Sequence, residues 1–109
     1  MPKKIKFNFT GTNPNELKVG NKLKVTSYWK DSTNNNNTWD EIRSHDFEVT
    51  IYEINKINED CYVLKCIRHW EYINKDSKMK FRVNSLGQTA NIYCNSQKGY
   101  CTKRVVKLI

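Results

Sequence analysis

The densest group of titratable side chains in this sequence surrounds His45. Asp46 follows it directly, and Asp40, Glu41 and Arg43 lie shortly before it. A carboxylate can orient an imidazole for general acid–base catalysis, so this group is the one candidate for a reaction centre. The sequence has no nucleophile motif, no H-x-E or H-E-x-x-H metal signature and no glycine-rich phosphate loop. We therefore interpret the group as an exposed cluster and predict that the protein is not an enzyme.

The four cysteines do not have the spacing of a metal centre. A zinc site needs thiolates that converge on one point, usually from C-x2-C knuckles. Cys61 and Cys66 are separated by four residues and fall on opposite faces of one strand, because their numbers differ by an odd amount. Cys94 and Cys101 flank a turn at Gly99 and can face each other across a hairpin, either as a disulfide or as two thiols. We predict no metal and no other cofactor.

Two segments alternate basic and apolar residues in the pattern of a strand with one wet face. Residues 22–25 read Lys-Leu-Lys-Val and residues 78–83 read Lys-Met-Lys-Phe-Arg-Val. Successive side chains of a strand point to opposite faces, so the cationic groups stand on the solvent side. If these strands are neighbours, their charges form one continuous field that attracts polyanions, and tyrosines among them can stack on bases. The residues that we predict to contact nucleic acid are Lys22, Lys24, Lys78, Lys80 and Arg82 for phosphates, and Tyr28 and Tyr93 for stacking.

The charge distribution leaves other interpretations open. The formal net charge is +8, but 15 Lys, 14 Asn and only four Arg are typical of AT-rich coding DNA. Residues 1–30 carry a net charge of +6, residues 31–76 of −5 and residues 77–109 of +7, a segregation that coding bias does not produce. Lysines on wet strand faces also keep a protein soluble and protect strand edges. A solvated face, an acidic protein partner and a nucleic-acid partner all remain open, and nucleic acid is the specific partner that we predict.

The second functional hypothesis is a protein–protein interaction module, such as an inhibitor or an accessory subunit of phage or mobile-element type. It rests on the acidic middle of the chain, because a dipolar molecule suits a partner of mixed charge. The residues that would make this contact lie within 34–46 and are Trp39, Asp40, Glu41, His45 and Asp46. A small-ligand pocket at the mouth of a barrel is a third possibility.

Turn signals recur along the whole sequence, and no 3.6-residue apolar period is sustained. We therefore predict a single all-β domain over residues 1–109, folded as a small barrel or a strongly bent sandwich of about seven antiparallel strands. Residues 31–38, which include four consecutive Asn, predict a polar loop. The predicted core consists of Ile5, Phe7, Phe9, Leu23, Val25, Trp29, Phe47, Val49, Ile51, Leu64, Met79, Phe81, Val83, Ile92, Val106 and Leu108.

Neither a secretory signal nor a membrane span is expected from the sequence. The basic residues at the start, up to Lys6, are followed by no apolar h-region. No apolar stretch approaches the length of a spanning helix. We expect a cytoplasmic protein without membrane contact.

Overall fold

The computed structural model describes residues 9–31, 43–89, 93–95 and 100–109, with side chains for all of these except 29–31, 43, 93–95 and 100–102. The elements are a short 3-10 turn (Pro14–Glu16), β1 (Lys22–Asp31), β2 (Arg43–Asn58), β3 (Cys61–Trp70), β4 (Lys75–Val83), β5 (Tyr93–Asn95) and β6 (Tyr100–Leu108). The strands form one antiparallel sheet in the order β4-β3-β2-β1-β6-β5. The all-β prediction is confirmed. The seven strands and the closed barrel are not, because the described strands number six and form one open sheet.

β2 is the long strand that bends the sheet. β1 pairs with it from Arg43 to Thr50, and β3 pairs with it from Thr50 onward, so Thr50 is the one residue that both neighbours share. A register shift follows at once between Ile51 and Glu53, which leaves Tyr52 as the extra residue of a β-bulge. Bulges bend a strand and increase its twist. Before Thr50, β1 is the only described strand that pairs with β2.

Residues 84–89 show how strongly the sheet bends. Val83 at the end of β4 forms an isolated bridge with Thr89, and Gln88 forms another with Val105 of β6. Three strands separate β4 from β6 in the sheet order. Neighbouring strands lie about 4.8 Å apart, so one short segment could not reach both β4 and β6 if the sheet were flat.

The core lies on the inner face of this bend. Each long strand contributes apolar residues at alternate positions, as the sequence patterns predicted. Nine predicted core residues are confirmed as buried: Leu23, Val25, Phe47, Val49, Ile51, Leu64, Phe81, Val83 and Val106. Leu17, Tyr62 and Cys66 are also buried in this cluster, and Met79 packs against it while partly buried.

Two predicted core positions are wrong. Phe9 is 39% exposed and Leu108 is 44% exposed. Phe9 stacks on the ring of Tyr28, which lies on the outer face of β1, so its side chain covers the sheet from outside. Leu108 is the last residue of β6 and lies opposite Leu23 at the end of the ladder, where the core stops. Four further predictions lie outside the described part: Ile5, Phe7, Ile92 and the side chain of Trp29.

The predicted polar loop at 31–38 also lies outside the described ranges, apart from the backbone of Asp31. Within those ranges, no helix has the length and apolarity that crossing a membrane requires. The organisation of residues 1–109 as a single domain stays a prediction.

Candidate functional site

The outer side of β4 carries three of the predicted phosphate contacts in one row. Lys78, Lys80 and Arg82 are all exposed and alternate with inward-facing residues. Residues on one face of a strand are about 6.7 Å apart along its length. Lys65 of β3 lies opposite Lys80 in the strand register. We call these four residues the β3–β4 basic face.

An exposed tyrosine stands beside the β3–β4 basic face. Tyr52 occupies the bulge of β2 and is 37% exposed. The ammonium nitrogen of Lys78 lies 5.8 Å from the centroid of its ring. The pKa of Lys65 is raised, first by its hydrogen bond to Glu53 and in smaller part by the charge of Tyr52, so Lys65 is also close to this tyrosine. An aromatic ring among cationic groups is the arrangement on which single-stranded bases stack.

One carboxylate reduces the charge of this face. Glu53 accepts from the ammonium group of Lys65 at 2.6 Å and from the side-chain amide of Asn55 at 2.8 Å. These two hydrogen bonds, with that of Lys65 the larger effect, lower the pKa of Glu53. Both charged partners are partly exposed, so water screens the pair and its contribution to stability is small. In the described part of the chain, Lys78, Lys80 and Arg82 form no ion pair.

The other predicted phosphate contacts, Lys22 and Lys24, lie on β1, and β2 stands between them and the β3–β4 basic face. Lys24 stands opposite Glu48 of β2 on one side and opposite Lys107 of β6 on the other. Asp46 and Glu48 are exposed on the outer face of β2, between β1 and the strands of the β3–β4 basic face. The structure thus separates two groups of lysines by carboxylates, where the sequence led us to expect one continuous field.

Tyr28, the predicted stacking residue whose side chain is described, is less accessible than Tyr52. The ring of Tyr28 stacks against Phe9, with centroids 4.4 Å apart and planes inclined by 19°. Burial raises the pKa of Tyr28, the charge of Asp46 adds to this, and a hydrogen bond with Thr26 opposes it. Phe9 covers one face of the ring. Tyr93 lies on β5, and its side chain falls outside the described residues.

Two of the five residues predicted for protein binding are described. His45 and Asp46 are exposed on the first half of β2. The described part of the chain contains one histidine–carboxylate pair, and it does not involve His45: Nδ1 of His69 lies 2.7 Å from Oδ1 of Asp76. His69 is exposed and held by this pair. The remaining three residues, Trp39, Asp40 and Glu41, lie outside the described ranges.

A cleft of about 870 Å³ opens where β2 and β3 diverge beyond Thr50 and Ile67. Its walls carry more negative than positive charge. The carboxylates are those of Asp46, Glu48, Glu71 and Asp76, and the basic groups are those of Lys22, Arg68 and His69. This excess of carboxylates suits a basic partner or one of mixed charge better than a polyanion.

Arg68 occupies an unexpected place at the end of the core. It follows Leu64 and Cys66 on the inner face of β3, where an apolar residue would be usual. Its guanidinium carbon lies 4.3 Å from the ring centroid of Phe47 and 3.5 Å from that of Trp70, within the range of cation–π contacts. Two aromatic rings therefore hold this guanidinium in position.

A second arginine approaches the same phenylalanine from β6. The guanidinium carbon of Arg104 lies 5.6 Å from the ring centroid of Phe47, and its Nε donates to Oγ of Ser27 at 3.0 Å. The pKa of Arg104 is lowered, first by burial and then by the charge of Arg68. The two guanidiniums are thus close enough to repel each other. We call Ser27, Phe47, Arg68, Trp70 and Arg104 the arginine mouth.

Neither Tyr52 nor the arginine mouth was predicted from the sequence. Tyr52 falls on the wet side of the β2 alternation, but its basic neighbours lie on strands whose order the sequence does not reveal. Arg68 and Arg104 each continue an alternating apolar series on the inward side. A charged residue on the inward side, at the end of such an apolar series, was the sequence signal that could have identified both arginines.

The strand register and the burial of the cysteines test part of the cysteine predictions. Cys94 and Cys101 are register partners on β5 and β6, which confirms that they face each other across a hairpin. Cys66 is buried and Cys61 is half-buried, as opposite faces of one strand require. Among the residues that the structure describes, no three His, Cys, Asp or Glu side chains converge in a way that could hold a metal ion.

Comparisons with known proteins found no match: no protein-family model, no curated protein and no solved structure matches this chain.

Proposed function

We propose that this protein is a non-enzymatic binding module for an anionic partner, with nucleic acid as the partner class. The observation that supports it is the position of Tyr52, an exposed ring beside Lys65 and Lys78 on the β3–β4 basic face. Lysine and arginine neutralise phosphates, and the ring supplies a sequence-tolerant stacking surface. The proposal includes a cytoplasmic location, as expected from the sequence.

Single-stranded nucleic acid is the form that this surface would select. A tyrosine ring can stack only on a base whose face is accessible, and bases of a duplex are already stacked on each other. Lys78, Lys80 and Arg82 would contact successive phosphates along the edge of β4. Three such contacts predict a slope of about −2 in log affinity against log salt concentration for a single strand.

Lys22, Lys24 and Tyr28 of β1, with Tyr93 of β5, form a second contact region in this proposal. Asp46 and Glu48 lie between this region and the β3–β4 basic face. Short probes would therefore occupy one region at a time. Only a longer strand that passes around these carboxylates would engage both.

Fluorescence polarisation with labelled single-stranded and duplex probes, at about 50 and about 200 mM salt, tests the proposal. Exchange of both Lys80 and Arg82 for Gln should weaken binding about tenfold or more, because two phosphate contacts are lost. The matched control removes two charges elsewhere, by Lys18→Gln with Lys56→Gln, and should change affinity by no more than about twofold at the higher salt. Binding no tighter than millimolar at low salt, or an equal loss in the control, would reject the proposal.

Tyr52→Leu tests the stacking surface separately from charge. Loss of one stacked base should weaken single-stranded binding by about 1 kcal/mol or more and leave duplex binding unchanged. Equal effects on both probes would show that Tyr52 does not stack on bases.

A second candidate function, binding of a protein partner, is favoured by the carboxylate-lined cleft next to His45 and Asp46. Its test uses purified wild-type protein and the Asp46→Asn, Glu48→Gln double variant as baits in nuclease-treated host extract. A single protein retained by the wild type and lost by the variant supports this function. Retention of the same proteins by both baits counts against it.

A further inference from the structure

We propose that the arginine mouth binds a phosphate monoester group. This site lies on the inner face of the bent sheet, whereas the β3–β4 basic face is on the outer side. The inference therefore goes beyond the proposed function and does not depend on it.

In the described part of the chain, only one N–H group of the two guanidiniums has a protein acceptor. A guanidinium has five N–H donors and no acceptor. The Nε–H of Arg104 donates to Oγ of Ser27, and no described residue accepts a hydrogen bond from the other guanidinium N–H groups of Arg68 or Arg104. Neither arginine forms an ion pair with a carboxylate of the described residues. A cluster of well-positioned donors therefore points to an acceptor from outside the chain.

The two guanidiniums of the arginine mouth carry like charges that repel each other. Arg68 and Arg104 are both half-buried and both lie against the ring of Phe47, where less water screens their charges than at the surface. Placing two cations together in this way destabilises the fold unless an anion joins them. Groups whose charge is unfavourably placed for stability are concentrated at binding sites, where the ligand supplies the compensation.

The charge and shape of the two guanidiniums indicate the class of anion that they bind. A phosphate monoester carries a charge of about −1.5 to −2 at pH 7 and three strong acceptor oxygens. It can neutralise both guanidiniums together, whereas one carboxylate neutralises only one of them. The planar fork of arginine also matches the oxygens of phosphate in paired hydrogen bonds.

The aromatic residues prepare the site for this ligand. Phe47 and Trp70 hold the guanidinium of Arg68 between contacts of 4.3 and 3.5 Å, which limits its rotamers before a ligand arrives. The indole Nε1 of Trp70 in turn donates to Oγ of Ser77 on β4, which fixes the ring. Phe47 and Arg68 also line the cleft, and the carboxylates of Asp46 and Glu48 in its walls would repel a phosphate that entered along the outer face.

The test is a titration of the folded protein with inorganic phosphate at constant ionic strength, followed by the NMR signals of the arginine Nε–H groups. The chain has four arginines, so the signals can be assigned by single substitution. We expect saturable shifts of the Arg68 and Arg104 signals. Sodium acetate, added as the carboxylate control, should not saturate them. Absence of saturation up to about 50 mM phosphate, or equal saturation by acetate, would overturn the inference.

Variants identify the donors. Arg68→Lys and Arg104→Lys keep the charge but lose the planar fork, and each should weaken phosphate binding about tenfold. Lys18→Gln removes a charge from an exposed position outside both surfaces and should leave the affinity within about twofold. Thermal unfolding confirms that each variant is folded, and the wild-type titration alone decides the question if a variant is not. Unchanged affinity in both folded Arg→Lys variants would also overturn the inference.

Oligonucleotides with a 5′-phosphate or a 5′-hydroxyl end distinguish the source of the phosphate. Tighter binding of the phosphorylated form, lost in Arg104→Lys, supports a terminal phosphate of nucleic acid as the ligand. Equal binding of both forms, with inorganic phosphate still saturating the arginine signals, supports a small phosphorylated molecule instead. If oligonucleotides bind and inorganic phosphate does not, the proposed function stands and this inference fails.

Discussion

Lys65 on β3 and Glu53 on β2 are joined by an ion pair of 2.6 Å beside the bulge at Tyr52. The same glutamate also accepts from Asn55, so it is held in place against the lysine. Glu53 therefore limits the positive charge that the β3–β4 basic face can present to a polyanion.

Replacement of this glutamate should strengthen nucleic-acid binding. Glu53→Gln keeps the size of the side chain but frees the ammonium group of Lys65, so we expect affinity for a short single strand to rise about two- to fivefold at low salt. Polarisation titrations at two salt concentrations measure the change. Glu59→Gln is the control, since Glu59 pairs with Lys56 in the β2–β3 turn. Equal gains in both variants would indicate a general charge effect, and a loss in Glu53→Gln would contradict the prediction.

Gly87 and Gly20 should respond very differently to replacement by alanine. Both have positive φ, +70° and +95°, so alanine is strained at either position. A Cβ at Gly87 would also lie 2.7 Å from the carbonyl oxygen of Thr12 and 2.9 Å from that of Val106, whereas nothing lies within 4 Å at Gly20. We expect Gly20→Ala to lower the free energy of unfolding by about 1 kcal/mol and Gly87→Ala by about 3 kcal/mol or more. Urea unfolding of both variants measures this, and similar losses would show that the close contact at Gly87 is easily relieved.

Cys66 should make the protein less stable at alkaline pH. Burial raises the pKa of its thiol to about 12. In the unfolded chain the thiol ionises at its usual value, about 8.5. The neutral, buried thiol of Cys66 therefore contributes fully to the free energy of unfolding below that pH. This contribution is lost as the pH rises toward 12, at up to about 1.4 kcal/mol per pH unit. Urea unfolding between pH 8 and pH 11 should show a shallower decline for Cys66→Ala, whatever its stability at pH 7. The same decline in both proteins would contradict the prediction.

Asp60 connects two turns that are distant in sequence, and this connection should be sensitive to acid. Its Oδ1 accepts from the backbone N–H of Ser85 at 3.0 Å and from the Ser85 hydroxyl at 2.8 Å. These bonds, the backbone one first, lower the pKa of Asp60. The stabilising effect is present above the unfolded pKa of the carboxyl and disappears as the pH falls through the lower folded value.

Asp60→Asn should therefore reduce the loss of stability between pH 5 and pH 2, relative to the wild type, because no carboxylate remains to be protonated. Urea midpoints across this range provide the measurement. Glu71→Gln is the matched control, since the described residues give its carboxylate no hydrogen bond or ion pair. If Asp60→Asn and Glu71→Gln reduce the loss of stability at acid pH equally, the Asp60–Ser85 contact does not cause the effect.

The local structure of β1 and β4 could be predicted from the sequence because strand alternation depends only on adjacent residues. Leu23 and Val25 are buried and Lys22 and Lys24 are exposed, as a period of two requires. The alternation around Phe9 misled the core prediction. A period of two identifies a side that can be covered, but it does not tell which other chain segment covers it.

The candidate surfaces could be predicted only in part, since they depend on strand order. Lys78, Lys80 and Arg82 share one strand, so their grouping followed from the sequence. The distance of Lys22 from that group depends on β2 lying between β1 and β3, a long-range pairing that no local pattern specifies. Tyr52 reaches the group because a bulge follows Thr50, and the sequence contains no glycine or proline there to announce it.

The pairing of β1 with β6 has a consequence for how the chain is made. A ribosome delivers β1, β2, β3 and β4 in that order, and each of the last three can pair with its predecessor as it emerges. The second edge of β1 stays bare until residues up to Leu108 have left the exit tunnel. Throughout that interval a nascent chain exposes unpaired amide and carbonyl groups to other copies of itself. Crowded polysomes are therefore the setting in which this protein is most exposed to mispairing, and slower initiation of translation should increase its soluble yield.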